Sequence, residues 1–173
     1  FATVLIAVMV MPTVVSASES SSYTYTLSTD KEWIRTQDAY MPGSIFLKGG
    51  ILQAPEDLFI YNHKIYVSDT MSEEADGAGG GHVVIYDMDS HEMTSIGEGT
   101  LVNPMGLFVT EEAIYVADKG AQAVFKLSHT GEVLLKLGRP DSYLFSDRSQ
   151  YLPTGVSVSS QGIIFVCGEG SYE

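Results

Sequence analysis

Carboxylates gather at two places in this chain, and both gatherings could hold a cation. Glu56 and Asp57 follow Pro55 directly, where two related stretches read Pro104-Met105-Gly106 and Pro153-Thr154-Gly155. Asn103, just ahead of Pro104, adds an amide oxygen at the sister position of the next stretch. Glu73, Glu74 and Asp76 lie in "DTMSEEADGAGGGH", residues 69 to 82. Hard oxygen donors of this kind suit Ca²⁺. The spacing does not follow D-x-[DN]-x-[DN]-G-x₅-E, and Gly77, Gly79, Gly80 and Gly81 favour a solvated, flexible loop over an ion cage. The loop is long all the same: Asp69 to Val84 covers 15 residues, Asp118 to Val124 only 6. Extended loops on a rigid frame are where function concentrates.

Nucleophilic and redox chemistry find no sequence support. The chain has no G-x-S-x-G elbow, no H-E-x-x-H, no Walker loop and no C-x-x-C. His63, His82, His91 and His129 fall singly at expected turns or loop ends, the pattern of surface histidines. The one cysteine, Cys167, occupies the place of Ser68 and Ala117 in related stretches, so a buried structural thiol is expected there.

Internal repetition tells which elements must position these residues. "PEDLFIYNHKIYVSDT", "PMGLFVTEEAIYVADK" and "PTGVSVSSQGIIFVCGE" begin at Pro55, Pro104 and Pro153, at intervals of 49 residues. Each proline precedes an I-(Y/F)-V triplet, at Ile65, Ile114 and Ile164. Around the first triplet run "DLFIY", "IYVSD", "VVIYDM" and "MTSIG"; around the second, "LFVT", "AIYVAD", "AVFKLS" and "VLLKLG". These are β-branched and aromatic runs parted by polar turns, four strands per period of 40 to 50, the pattern of a propeller blade. Nothing of helical period competes, so the expected fold is all-β, in blades of four antiparallel strands. The triplets should fill the layers between blades. Asp69 and Asp118, at the ends of the second strands, should accept hydrogen bonds from the following turn, and Gly168 in the third copy breaks any ring of identical ligands.

Proline, short apolar strand, turn, I-Y-V-A-D and a second hairpin together resemble the NHL repeat of β-propeller proteins, over residues 51 to 173. The resemblance implies a ring of usually six blades, of which about two and a half are present: repeat 1 at 51–99, repeat 2 at 100–148 and a partial repeat 3 at 149–173. It also implies a central channel lined by the first strand of each blade. Calcium-dependent propeller lactonases place acidic and amide ligands in such a channel, and by that likeness Glu56, Asp57 and Asn103 become ligand candidates. Rim charges without a ligand are the alternative.

Residues 1–17 read as an export signal or an uncleaved N-terminal anchor. The first 15 residues are mostly apolar, no charge precedes Glu19, and Val15-Ser16-Ala17 fits a small-residue cleavage site. Residues 18–50 read as a Ser-rich tether with a lead-in strand, "YTYTL", able to pair with the last blade of a complete ring; Trp33 and Tyr40 are expected to pack. With 22 acidic residues against 9 basic ones, a net charge of −13 disfavours nucleic acid and anionic lipid alike. Two functional classes follow. The first is a secreted or tethered scaffold that binds a protein, peptide or glycan on its loop face; the second is a Ca²⁺-dependent lactone or ester hydrolase.

Overall fold

The computed structural model describes residues 24–36, 45–47, 49–70, 80–142 and 150–169. The leader, Tyr40 and the acids Glu73, Glu74 and Asp76 lie outside the described residues. Every regular element described is a strand. The chain divides into two compact units, one ending at Phe46 and the other beginning at Leu47.

The first unit contains an antiparallel hairpin, β1 (Thr24–Leu27) with β2 (Trp33–Thr36). Ser28 closes it: its backbone N–H donates to Glu32 O at 2.8 Å, and its Oγ accepts from Asp30 N and Glu32 N at 3.2 and 3.1 Å. The lead-in strand pairs with the segment that follows it. Trp33, expected to pack, is 71% exposed.

The second unit is built from the repeats. Blade 1 has β3 (Pro55–Tyr61), β4 (Lys64–Thr70), β5 (Gly81–Asp87) and β6 (Met93–Leu101), paired in that order. Blade 2 repeats the meander with β7 (Pro104–Val109), β8 (Ile114–Asp118), β9 (Ala123–Leu127) and β10 (Val133–Leu137). The third repeat contributes a two-stranded sheet, β11 (Leu152–Val158) with β12 (Ile164–Glu169). All neighbours are antiparallel. The fold is therefore all-β, made of propeller-like blades.

Side chains alternate between the faces of each strand, and the alternation decides what packs where. From blade 1, Tyr66, Val83, Ile85 and Ile96 meet Leu107, Val109, Val116 and Phe125 of blade 2 in one apolar cluster. Phe59 and Phe108 add a tilted ring pair with centroids 5.1 Å apart. Each fully buried aliphatic or aromatic side chain of this layer contributes about 1.5–3 kcal/mol. On the opposite face of blade 1, Ile65, Val67 and Val84 are covered by Leu47, Leu52, Tyr86 and Met88. Burial of the triplets follows position in the stack. Ile114 and Val116 are completely buried, whereas Phe165 is 59% exposed because no described strand covers that face of the third sheet. Cys167 shares that fate: the buried thiol expected from its sisters Ser68 and Ala117 is exposed.

Candidate functional site

The prolines mark one end of every blade, and the backbone there follows a repeated plan. Register slips just after Pro55, Pro104 and Pro153, so Glu56, Met105 and Thr154 are the extra residues of three equivalent β-bulges. Pro104 and Pro153 are fully buried at the start of a blade that has a predecessor, while Pro55 is exposed. Proline has no N–H, so the two residues ahead of it carry the donors that need acceptors. Asp69 supplies them in blade 1, taking Gln53 N at 3.0 Å and Ala54 N at 2.7 Å. Asp118 does the same in blade 2, taking Val102 N at 2.7 Å and Asn103 N at 2.9 Å, and adds Ala121 N at 2.9 Å. Both carboxylates are completely buried. These aspartates therefore reach back to the entry of their own blade. Only the Ala121 contact serves the following turn, where the sequence had placed the main bonds. The third repeat has no such clamp. Gly168 stands opposite Pro153, a Cβ there would lie 2.5 Å from Leu152 O, and the ladder instead runs one pair further, to Leu152 opposite Glu169.

The channel candidates sit in this framework. Asp57 binds across the blade junction: Oδ2 accepts Leu107 N at 2.7 Å and Oδ1 accepts Leu58 N at 2.8 Å. Ser68, paired with Asp57 in the ladder, accepts Asp57 N at 3.0 Å and donates to Met105 O at 3.0 Å. Asn103 is tied as well, its Oδ1 accepting Thr70 Oγ1 at 3.2 Å and its carbonyl accepting Lys119 N at 3.0 Å. Glu56 alone of the three stays exposed, on the bulge. Both Asp57 oxygens hold backbone amides, so this side chain ties the blade junction together. Its sister Gly106 shows the same junction solved without a side chain, since a Cβ there would meet Gly155 Cα and Thr154 O at 2.7 Å.

One histidine departs from the expected surface role. His82 lies in β5 with its side chain 13% exposed, Nε2 3.8 Å from Asp69 Oδ2, and Nδ1 buried without a partner. Among the described residues no group of three or more His, Cys, Asp or Glu side chains could hold a metal ion.

The other end of the blades carries the tight turns, and an open cleft lies at each junction there. The first, about 520 Å³, is lined by Tyr61, Asn62, Lys64 and Tyr66 of blade 1 and by Glu111 and His129 of blade 2. The second, about 590 Å³, lies between Glu111, Glu112 and Tyr115 of blade 2 and Ser159, Ser160 and Gln161 of the third repeat. Both volumes fall in the about 300–1,000 Å³ range of small-ligand sites. Tyr66 and Tyr115 are the same triplet position one blade apart, so the cleft itself is repeated. Burial pushes the Tyr66 hydroxyl above its ordinary pKa of 10.0 and keeps it protonated as a donor. His129 Nε2 faces two carbonyls, Thr110 O at 3.1 Å and Glu111 O at 3.2 Å, so the proton sits on Nε2. Lysine charge is held locally. Lys64 Nζ lies 3.2 Å from Asp87 Oδ2, and Lys126 Nζ stands 5.6 Å from the Tyr115 ring centroid. Backbone N–H groups of Ser90 and Asp89, with Lys64, hold Asp87 down to a pKa of about 2.

The sequence pointed to the proline end and passed over these clefts, which no motif announces because each is made from turns about 50 residues apart. No family model matches the chain, and no curated protein matches it either.

Proposed function

We propose that this chain belongs to an exported or membrane-tethered propeller of the NHL type, acting as a non-catalytic scaffold that binds a ligand at the turn end of its blades. One observation carries the reading. At the proline end Asp57 and Ser68 are bonded to backbone across the junction, Asp69 and Asp118 to backbone at the entry of their own blades and Asn103 to Thr70, so that of the polar candidates there Glu56 alone stays exposed. The turn end instead offers two open clefts lined by tyrosine, amide, hydroxyl and carboxylate groups. Export rests on the apolar opening and the Val15-Ser16-Ala17 step. The acidic balance disfavours RNA as the natural ligand.

The test is a binding screen of the chain against peptide and neutral glycan panels, with Glu111→Lys as the cleft variant and Glu56→Gln as the control. Saturable binding lost in Glu111→Lys and kept in Glu56→Gln supports the scaffold. A rise in melting temperature on adding millimolar Ca²⁺, abolished by Glu56→Gln and accompanied by lactone hydrolysis, would replace it with the hydrolase reading.

A further inference from the structure

Two tyrosine hydroxyls at the edge of the core have no protein partner. Tyr66 and Tyr115 hold one place in successive triplets, and only 3% and 5% of their surfaces are exposed. Neither hydroxyl makes a hydrogen bond among the described residues. Neither is sealed in, because the one buried side-chain nitrogen or oxygen without a partner among those residues is His82 Nδ1. Each tyrosine lines a cleft, Tyr66 the first and Tyr115 the second. A buried phenol whose O–H opens on a cleft and meets no acceptor is a donor offered to whatever enters. The acceptors come from the inner turns, between the first and second strands of each repeat. The outer turns, between third and fourth strands, are capped by Asp87 Oδ1 in blade 1 and by Ser128 Oγ in blade 2. Asn62, Glu111 and Ser160 stand at the same place after Pro55, Pro104 and Pro153, exposed, with side chains bonded to nothing among the described residues. Asn62 and Glu111 line the first cleft, Glu111 and Ser160 the second. Glu111 is thus a wall common to both, and each cleft pairs one buried phenol donor with two turn acceptors.

What repeats is acceptor oxygen and not charge: an amide, a carboxylate and a hydroxyl fill the shared turn place. Anionic ligands meet a chain of net charge −13 whose cleft lysine, Lys64, is already paired with Asp87. A basic ligand would need acid to recur, whereas the first cleft sets one glutamate beside Lys64 and only the second holds two. Peptides are held chiefly by apolar or aromatic anchors in pockets, and apart from the tyrosines the apolar side chains lining these clefts are Ile85 in the first and Val158 in the second. A hydroxyl donates and accepts at once, so a chain of hydroxyls answers the phenol donors and the turn acceptors together. We propose that the ligand is a neutral glycan chain laid across the Glu111–Glu112 turn, with sugar units in both clefts that accept from Tyr66 and Tyr115 and donate to the turn oxygens. This rests on the scaffold reading above and names the ligand class for its turn end. Units joined in one chain bind as linked epitopes, so affinity climbs once the chain spans both clefts.

The probes are neutral oligosaccharides of increasing length in the glucose, xylose and N-acetylglucosamine series, titrated calorimetrically into the full chain beside neutral and lysine-rich peptides. At least one sugar series should bind, with affinity rising about tenfold or more when the oligomer first spans both clefts. Tyr66→Phe and Tyr115→Phe each delete one hydroxyl without opening a cavity, and melting curves check that the fold is kept. Each should return the long oligomer to the affinity of the short one. Glu111→Gln, which keeps an acceptor oxygen, should weaken binding a few-fold, and Glu111→Lys should abolish it. Binding of a peptide and of no oligosaccharide overturns the glycan and leaves the scaffold standing, while no binding by any probe overturns both. Affinity independent of oligomer length, or untouched by both phenylalanine variants, overturns the proposal as well.

Discussion

The junction between blades 1 and 2 and the junction between blade 2 and the third repeat solve one geometric problem in opposite ways. At the first, Asp57 and Ser68 extend side-chain oxygens across the gap to Leu107 N and Met105 O. At the second, Gly106 and Ala117 occupy the same places, and the backbone at Gly155 comes so near that no Cβ fits at Gly106. At these places the first junction is bridged by polar reach and the second by bare contact. A repeat therefore conserves its spacing plan without conserving the chemistry of the spacer, and a charged residue that varies between copies can be a local spacer as readily as a ligand.

That contrast can be broken from several sides. The largest effect is expected from Asp118→Ala, which strands two N–H groups at the entry of the blade shared by both junctions and one in the turn after β8. With about 1–3 kcal/mol lost per buried unsatisfied donor, urea melts should show a loss of about 3 kcal/mol or more. Gly106→Ala comes next, at about 1–3 kcal/mol, because the added carbon meets backbone that must move. Asp57→Ala should cost about 1–2 kcal/mol by orphaning the backbone donor of buried Leu107. If Gly106→Ala proves neutral while Asp57→Ala is costly, the close approach at the second junction is wrong. Lys119→Ala, which removes a surface pair with Glu169 at 2.6 Å, should cost under about 1 kcal/mol, and less in high salt.

The smallest expected effect separates the outer turns. Asp87 has its carboxyl held to about 2 in the folded chain against an ordinary 3.8. Its folded pKa is depressed, so its contribution is fully present above pH 3.8 and fades as pH falls toward about 2. Ser128 at the sister turn does not titrate. Melting curves between those pH values should therefore flatten in Asp87→Asn and keep their slope in Ser128→Ala.

What could be read from the sequence was whatever depends on neighbours within one repeat. The strands around Ile65 and Ile114 and the all-β fold follow from local alternation and from a pattern that returns every 49 residues. What could not be read depends on a partner distant along the chain. The bond from Leu107 N to Asp57 spans 50 residues, and no pattern within one repeat announces it. Cys167 looked buried because its sisters are covered by a following strand. His82 looked superficial because it ends a long loop, yet the ladder sets it opposite Asp69. The backward reach of the two aspartates was hidden in the same way: turn chemistry points forward along the chain, and only the ladder opposes Asp69 to Pro55.

The aspartate clamps also set a kinetic order. Each closes a segment of 15 or 16 residues inside its own repeat, so blades 1 and 2 incur the same modest chain-closure entropy and can form independently of each other. The third repeat, with Gly168 in place of the acid, has no comparable early latch and should consolidate only after blade 2 offers it a wall. Substitutions at Asp118 would then slow refolding, and those at Val156 would chiefly hasten unfolding.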